Sequence, residues 1–188
     1  MISGVVLAAG TGSRFGGTKQ LATLGGKPLA QHAIDTLEAA GVDELVVVTG
    51  HDAVRVATAL SLPQGGRIAY NPRFADGQAT SLAAGLHALD DESEAAVVLL
   101  ADQPGVEPAV IRALVDRFLE TRSRIVRAAY RDAPGPSLLS REIYAEAGHL
   151  SGDVGARELI ASHPDWVDEV DVDAPVPMDV DRPEDLPA

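Results

Sequence analysis

Leu7-Ala8-Ala9-Gly10-Thr11-Gly12-Ser13-Arg14-Phe15-Gly16-Gly17-Thr18-Lys19 is the stretch on which the reading of this 188-residue chain turns. It closes the apolar run Gly4–Ala8, which predicts a buried strand, and opens a glycine-rich loop over residues 10–17. Small residues directly after a first strand let backbone N–H groups approach an anionic ligand, and Arg14 and Lys19 can neutralise phosphates there. Two familiar loops do not fit. A dinucleotide fingerprint needs G-x-G-x-x-G, but Gly10 and Gly12 are followed by Phe15, and Thr49-Gly50-His51 ends the next strand without an acid. A P-loop needs Lys-Ser or Lys-Thr after its last glycine, whereas here Thr18 precedes Lys19.

Outward from that stretch, strands and helices alternate. Ala30, Ala33, Ile34, Leu37 and Ala40 recur at helical spacing, with Gly41 placed to close the helix. Leu45–Val48 reads as a second buried strand, and Asp52 as the cap of a short helix carrying Val54, Val56, Ala57 and Leu60. Arg67–Tyr70 is a shorter strand, followed by a helix over about 80–89, and Ala95–Leu100 is the strongest strand signal. Pro108 suits a helix start, with Ile111, Leu114, Val115, Phe118 and Leu119 as its apolar face. After Ser123 come strands at 125–128 and 137–139 around the turn-rich Asp132–Pro136. Short helices follow at 141–148 and 154–161, then apolar positions at Trp166-Val167 and Val170–Val172. The expected fold is α/β: a doubly wound, mostly parallel sheet with helices on both faces, to which the second half adds a lobe that completes the site. No repeat, low-complexity tract or linker divides it, so one domain over 1–188 is expected.

Composition narrows the function. Hydrophobic residues make up 46% and aromatics 4%, so the core is built from Val, Leu, Ile and Ala, the palette of a covered parallel sheet. Cysteine is absent, which excludes disulfides and thiolate chemistry. A net charge of −13 argues against a nucleic-acid surface. No apolar run is long enough to cross a membrane and no signal peptide is evident, so the expected location is cytoplasmic. Nine acids stand between Asp165 and Asp185 against the single base Arg182, a solvated edge in which one or two carboxylates could face a metal. The five histidines are scattered without ligand spacing.

The opening stretch, continued by Gly25-Gly26-Lys27-Pro28-Leu29, resembles the signature of the small nucleotidyltransferases, L-A-A-G-x-G-x-R-[MF]-G-x-x-K followed by G-K-P-L. Within that superfamily it is most similar to the molybdenum cofactor cytidylyltransferases, which implies a Rossmann-like sheet with a small acceptor-side lobe, a nucleotide-binding half at 1–120 and an acceptor and metal-completing half at 121–188. The resemblance implies that Leu7, Ala8, Ala9, Gly10 and Gly12 border the nucleotide and that Arg14 and Lys19 hold its triphosphate. Leu99-Leu100-Ala101-Asp102-Gln103-Pro104 puts Asp102 at the carboxyl end of a buried strand, the usual ligand crevice of such sheets. There it could hold Mg²⁺ or, on position alone, act as a turn or cap residue. Asn71, Gly77 and Ser81 match the family's N-x-x-[WF]-x-x-G-x-x-x-S stretch on the nucleotide side.

Two later stretches carry the resemblance further. Leu150–Arg157 is similar to L-x-G-D-x-G-A-R, which implies that Gly152, Asp153, Gly155 and Arg157 border the acceptor. The other reading is a helix start with Asp153 as cap and Arg157 in solvent. Asp179-Val180-Asp181-Arg182-Pro183-Glu184-Asp185-Leu186 resembles D-[IV]-D-[TR]-P-E-D-L, which makes Asp179 the second metal carboxylate and leaves Asp181 and Glu184 to cap a terminal turn. One stretch departs: Ala133-Pro134-Gly135-Pro136-Ser137 lacks the His or Asn of the family's G-[HN]-P motif near the acceptor.

The implied activity is Mg²⁺-dependent transfer of CMP from CTP, in preference to GMP from GTP, to molybdopterin, with pyrophosphate released. Arg14, Lys19 and Asp102 would be catalytic, and a molybdoenzyme or its chaperone a further partner. The alternatives are guanylyl transfer to molybdopterin or a phosphorylated metabolite, and a non-catalytic module that delivers the cofactor.

Overall fold

The computed structural model describes residues 1–152 and 155–186. Apolar runs with no polar alternate positions need cover on both faces, and the chain supplies it by laying helices on either side of one sheet. The order is β1 (Ile2–Ala8), β2 (Thr23–Leu24), β3 (Lys27–Pro28), α1 (Leu29–Ala40), β4 (Glu44–Thr49), α2 (Ala53–Ala59), β5 (Arg67–Tyr70) and α3 (Gln78–His87). Then follow β6 (Ala95–Leu100), α4 (Pro108–Thr121), β7 (Ile125–Tyr130), β8 (Pro134–Ser140), α5 (Tyr144–Gly148), α6 (Gly155–Ser162) and β9 (Val167–Val172).

The main sheet runs β5-β4-β1-β6-β8-β7-β9, while β2 and β3 form a separate hairpin. β1 is parallel to β4 and β6, β4 to β5, and β7 to β9. Only β8 is reversed, antiparallel to both β6 and β7. On one face Ile34, Leu37, Val56, Ile111 and Leu114 pack on alternate strand residues such as Val6 and Val47. On the other, Leu82, Leu86, Ala147 and Leu159 pack on Val5, Val46 and Val48. This is the doubly wound, mostly parallel α/β arrangement expected from the sequence.

Local differences have local causes. Asp52 precedes α2 but makes no side-chain capping bond; its backbone is left-handed (φ 53°) and its carboxylate turns to Thr18 instead. Helix α2 buries only Val56, and Val54 stands 81% exposed. Leu119 lies outside the buried stripe of α4, 48% exposed. Pro134, Gly135 and Pro136 belong to β8 rather than to a turn, and the β7–β8 register shifts between Arg127 and Ala129. Prolines cannot donate to a ladder, so the irregularity falls where donors are missing.

Topology then gathers the chemistry. The carboxyl ends of β1 and β6 open side by side, as expected at the crevice of a parallel sheet. After β9 the chain returns across this end, where the Val180 N–H donates to the Asp102 carbonyl at 2.9 Å.

Candidate active site

The loop after β1 is shaped by its small residues. Gly12 has φ 61° and its carbonyl accepts the N–H groups of Phe15 (2.9 Å) and Gly16 (3.0 Å). A β-carbon at Gly12 would collide with the Gly17 carbonyl, so only glycine fits this left-handed turn. Buried Gln20 closes the base of the loop, its Nε2 donating to the Gly10 carbonyl at 2.7 Å. Lys19 begins a single 3-10 turn, Lys19–Leu21, and its side chain points across to β6.

Lys19 Nζ lies 2.5 Å from Asp102 Oδ2 and 3.2 Å from Asp181 Oδ1. Arg14 Nη1 lies 3.3 Å from Asp181 Oδ2. Burial alone would lower the Lys19 pKa, but the charges and hydrogen bonds of Asp102 and Asp181 outweigh it and hold the ammonium above the usual lysine range. In turn the Lys19 hydrogen bond and charge, with Arg14, pull the Asp181 carboxyl below the ordinary carboxylate range. The second oxygen of Asp102, Oδ1, is buried and has no hydrogen-bond partner among the described residues.

These groups line a cleft of about 380 Å³. Of the residues expected at the nucleotide, Leu7, Ala9, Gly10, Gly12, Arg14, Lys19, Gly77 and Ser81 line it, as does Asp102. Ala8 does not: its side chain is buried in the core, because successive strand residues face opposite sides. Asn71 is buried behind the cleft, where Nδ2 donates to Thr80 Oγ1 (2.9 Å) and Ser81 Oγ (3.0 Å). Its Oδ1 accepts the Arg73 N–H at 2.9 Å, so it latches the start of α3. Gln20, Phe74 and Gln78 also line the cleft, though the sequence reading gave them no role. Phe74 and Gln78 stand inside the Asn71–Ser81 stretch, and their placement beside a fixed glycine was the available signal.

The acidic C-terminal segment is arranged differently from expectation. Asp181, not Asp179, stands beside Lys19 in the cleft. The Val180 N–H bond to Asp102 fixes the register: the residue after it reaches Lys19, and Asp179 before it accepts Gln103 Nε2 at 2.6 Å. Nor do Asp181 and Glu184 cap the terminal turn. Asp185 does, accepting the N–H groups of Asp181 (2.9 Å) and Arg182 (2.7 Å), while Glu184 pairs with Arg182.

The expected acceptor residues divide. Gly152 packs directly against Gly77, and a β-carbon at Gly155 would lie 2.7 Å from Gln78 Oε1, so both abut the cleft rim. Asp153 lies outside the described residues. Arg157 is exposed and lines a different cavity with Arg127, Ile160, Val167 and Glu169. Among the described residues, no helix is long and apolar enough to cross a membrane.

Comparison with known proteins agrees with this geometry. Residues 4–167 match the family model of the MobA-like NTP transferase domain. The nicotine blue oxidoreductase of Paenarthrobacter nicotinovorans is 34% identical over 98% of this chain and 94% of its own. The crystal structure of Rv0371c from Mycobacterium tuberculosis H37Rv superposes with a TM-score of 0.86 at 34% identity, covering 98% of this chain and 94% of that one. A nucleotidyl transferase from Methanothermobacter superposes with a TM-score of 0.81 at 25% identity over 98% of this chain and 94% of that one. Sequence, fold and the cation-lined loop facing Asp102 therefore agree: the chain belongs to the MobA-like NTP transferase family and is a nucleotidyltransferase.

Proposed function

We propose that this enzyme transfers CMP from CTP, in preference to GMP from GTP, to the phosphate of molybdopterin in the cytoplasm, releasing pyrophosphate. The observation that carries the reading is Lys19, an ammonium held between Asp102 and Asp181 at the mouth of a glycine-rich loop. An acceptor phosphate is already a nucleophile at neutral pH, so the barrier is repulsion between anions and the remedy is positioning and charge neutralisation. Lys19 and Arg14 would draw charge onto the departing pyrophosphate, while Gly10 and Gly12 let the backbone approach the phosphates.

The chemistry of the donor set fits a hard divalent cation. Asp102 Oδ1 is buried without a partner among the described residues, and Asp181 offers a second carboxylate close by. Among the described residues no cluster of three or more His, Cys, Asp or Glu could hold a metal by itself. Two carboxylates completed by triphosphate oxygens is the ordinary way to hold Mg²⁺. Asp102 and Asp181, the latter in place of Asp179, are therefore the proposed ligands. When bound, the ion would neutralise phosphate charge. A manganese complex of Rv0371c, 32% identical and with a TM-score of 0.82 over 98% of this chain and 95% of that one, supports a divalent ion.

The acceptor rests on Gly152 and Gly155 at the rim and on the resemblance of their stretch. The altered Pro134–Pro136 segment favours testing other phosphorylated acceptors alongside molybdopterin, and the name of the Paenarthrobacter relative, nicotine blue oxidoreductase, favours testing nicotine blue as a redox substrate. Pyrophosphate release should be measured for each NTP, with Mg²⁺ or Mn²⁺, with and without each acceptor. Label moving from CTP to the pterin is the expected result. Transfer only to another acceptor would overturn the cofactor assignment, and oxidoreductase activity on nicotine blue without pyrophosphate release would overturn the reaction proposed.

A further inference from the structure

The loop from Gly10 to Lys19 is gripped from two sides. On the cleft side Arg14 and Lys19 reach Asp181 and Asp102. Under the reading above, these are the contacts a triphosphate would take over, since both cations would turn to phosphate oxygens. On the far side the Thr18 hydroxyl donates to Asp52 Oδ2 at 2.5 Å, a bond that uses no group assigned to nucleotide or metal. We propose that Asp52 is a positioning residue: through Thr18 it holds the end of the loop in place, so that Lys19 still faces the cleft after the triphosphate has drawn it from its carboxylates. The inference rests on the nucleotidyltransferase reading and adds to it a residue outside the reacting centre.

Three features of the segment after β4 support this role. The first is conformational. Asp52 has φ 53° and ψ 31°, and among the described residues Arg122 is the only other non-glycine with positive φ. Aspartate and asparagine tolerate this region better than most side chains, yet a residue ahead of a helix normally sits in extended backbone and caps it. Asp52 does neither. Its carboxylate faces the loop.

The second feature is orientation. The same Oδ2 accepts Arg55 Nη1 at 2.8 Å from the first turn of α2, so the carboxylate is fixed from the helix side. The Thr18 hydroxyl, with the nearby charges of Arg55 and His51, holds this carboxyl below its usual range. It is a charged acceptor at neutral pH, which makes the Thr18 bond a charge-assisted one.

The third feature is that the same segment grips the beginning of the loop. The His51 N–H donates to the Ala9 carbonyl at 3.1 Å. Gly50 is wedged against Phe74 and Ala9 so closely that a β-carbon would collide with both. Residues 50–52 therefore tie down Ala9, where the loop leaves β1, and Thr18, where it ends. A loop pinned at both ends can change partners at Lys19 without losing its course.

The test uses Asp52→Asn, Asp52→Gly, Thr18→Val and the Asp52→Gly/Thr18→Val double variant in the full chain. Asparagine keeps both the left-handed backbone and an acceptor oxygen, whereas glycine keeps the backbone alone. Turnover with CTP, and with GTP if that is the substrate, gives kcat and KM. Amide exchange over residues 15–19 gives loop order independently of turnover. The expected result is a KM for NTP raised by about tenfold in Asp52→Gly and Thr18→Val, with kcat less affected and no further loss in the double variant. Asp52→Asn, which keeps an acceptor but loses the charge, should fall between the parent and Asp52→Gly in KM, and exchange over 15–19 should quicken most in the glycine and valine variants. Parent-like KM and exchange in Asp52→Gly would overturn the proposal, as would additive losses in the double variant or equal damage from asparagine and glycine. If the parent releases no pyrophosphate from any NTP, the reaction assignment fails. The exchange measurement then still decides whether Asp52 orders the loop: unchanged exchange in both anchor variants overturns it.

Discussion

Gly77 and Gly152 meet backbone to backbone, although 75 residues separate them in the chain, and a β-carbon on Gly77 would run into the Gly152 carbonyl. Gly77 also has φ 112°, so alanine there is opposed by both conformation and space. Gly77→Ala should cut kcat/KM by at least about tenfold by shifting the rim of the cleft. Gly152→Ala has open space around it and only its φ of 75° to oppose it, so it should cost about 1 kcal/mol of stability with a smaller loss of activity. Thermal unfolding and steady-state kinetics on the pair check this, and equal activity losses would remove the contact from the explanation.

Lys19→Ala should lower turnover by roughly tenfold to a thousandfold while circular dichroism stays native. The side chain is held by ion pairs at the cleft rather than by core packing, so the fold does not depend on it. Parent-like turnover would take Lys19 out of the mechanism.

Asp102→Asn and Asp181→Asn should each depress Mg²⁺-dependent pyrophosphate release by about 10²-fold or more. Asp179→Asn, whose carboxylate is engaged by Gln103, should remain within about twofold of the parent. Titrating Mn²⁺ in the presence of a non-hydrolysable NTP separates lost metal affinity from lost chemistry. A severe Asp179 defect with a mild Asp181 one would restore the assignment made from sequence alone.

Stability at acid pH should report the Arg117–Asp168 pair, in which Nε and Nη2 bind the two carboxylate oxygens at 2.7 and 2.9 Å. The Arg117 hydrogen bonds hold the Asp168 carboxyl below its usual range. A lowered carboxyl pKa stabilises the fold above the unfolded-state value of about 3.9 and ceases to do so as pH falls through the native value. Asp168→Asn should therefore be less stable by about 1 kcal/mol from pH 6 to 9, with the gap closing below about pH 4. Urea unfolding at a series of pH values checks the sign; a gap that widened in acid would refute it.

Gly85 faces the sheet from α3, where a β-carbon would lie 2.6 Å from Val5 Cγ1 and 3.0 Å from Val48 Cγ2. Gly85→Ala should destabilise by about 1–3 kcal/mol through overpacking, despite alanine's better helix propensity. A raised melting temperature would mean that the helix can lift off the sheet without cost.

The sequence was most legible where side-chain pattern and backbone demand coincide. Ala95–Leu100 and Pro108 mark a strand and a helix start at the residues where both occur, because an unbroken apolar run and a fixed φ leave few alternatives. Arg14, Lys19 and Asp102 were legible as a set because charge beside small residues at strand ends has few structural uses, and the structure brings all three to one cleft. Asp179 and Asp181 were not separable: they are chemically identical, two residues apart, in a segment without regular structure. What distinguishes them is one long-range hydrogen bond from Val180, which no local pattern encodes. Asn71 stands behind the cleft rather than on it, a distinction that sequence does not carry, because a buried latch and a binding amide use the same side chain. Arg157 shows the same limit, since a helix can turn a motif residue toward another cavity.

The reversal of β8 has a consequence for how such an enzyme can diversify. Because β8 runs against its neighbours, residues 131–133 join β7 to it at the end of the sheet where β6 delivers Asp102. That tip is a hairpin, tied to its own strands by the Tyr130 N–H bond to Ala133 and to the returning chain by the Arg131 N–H bond to Ala174. The Gly10–Lys19 loop is anchored through β1 and the segment after β4, and it meets the same returning chain at Asp181. The sheet thus carries two modules on one rim, joined through the returning chain. On the function proposed above, the Pro134-Gly135-Pro136 run would act on the recipient's side of the rim, and Asp181 on the returning chain is where a change there would be felt by the loop that would face the triphosphate.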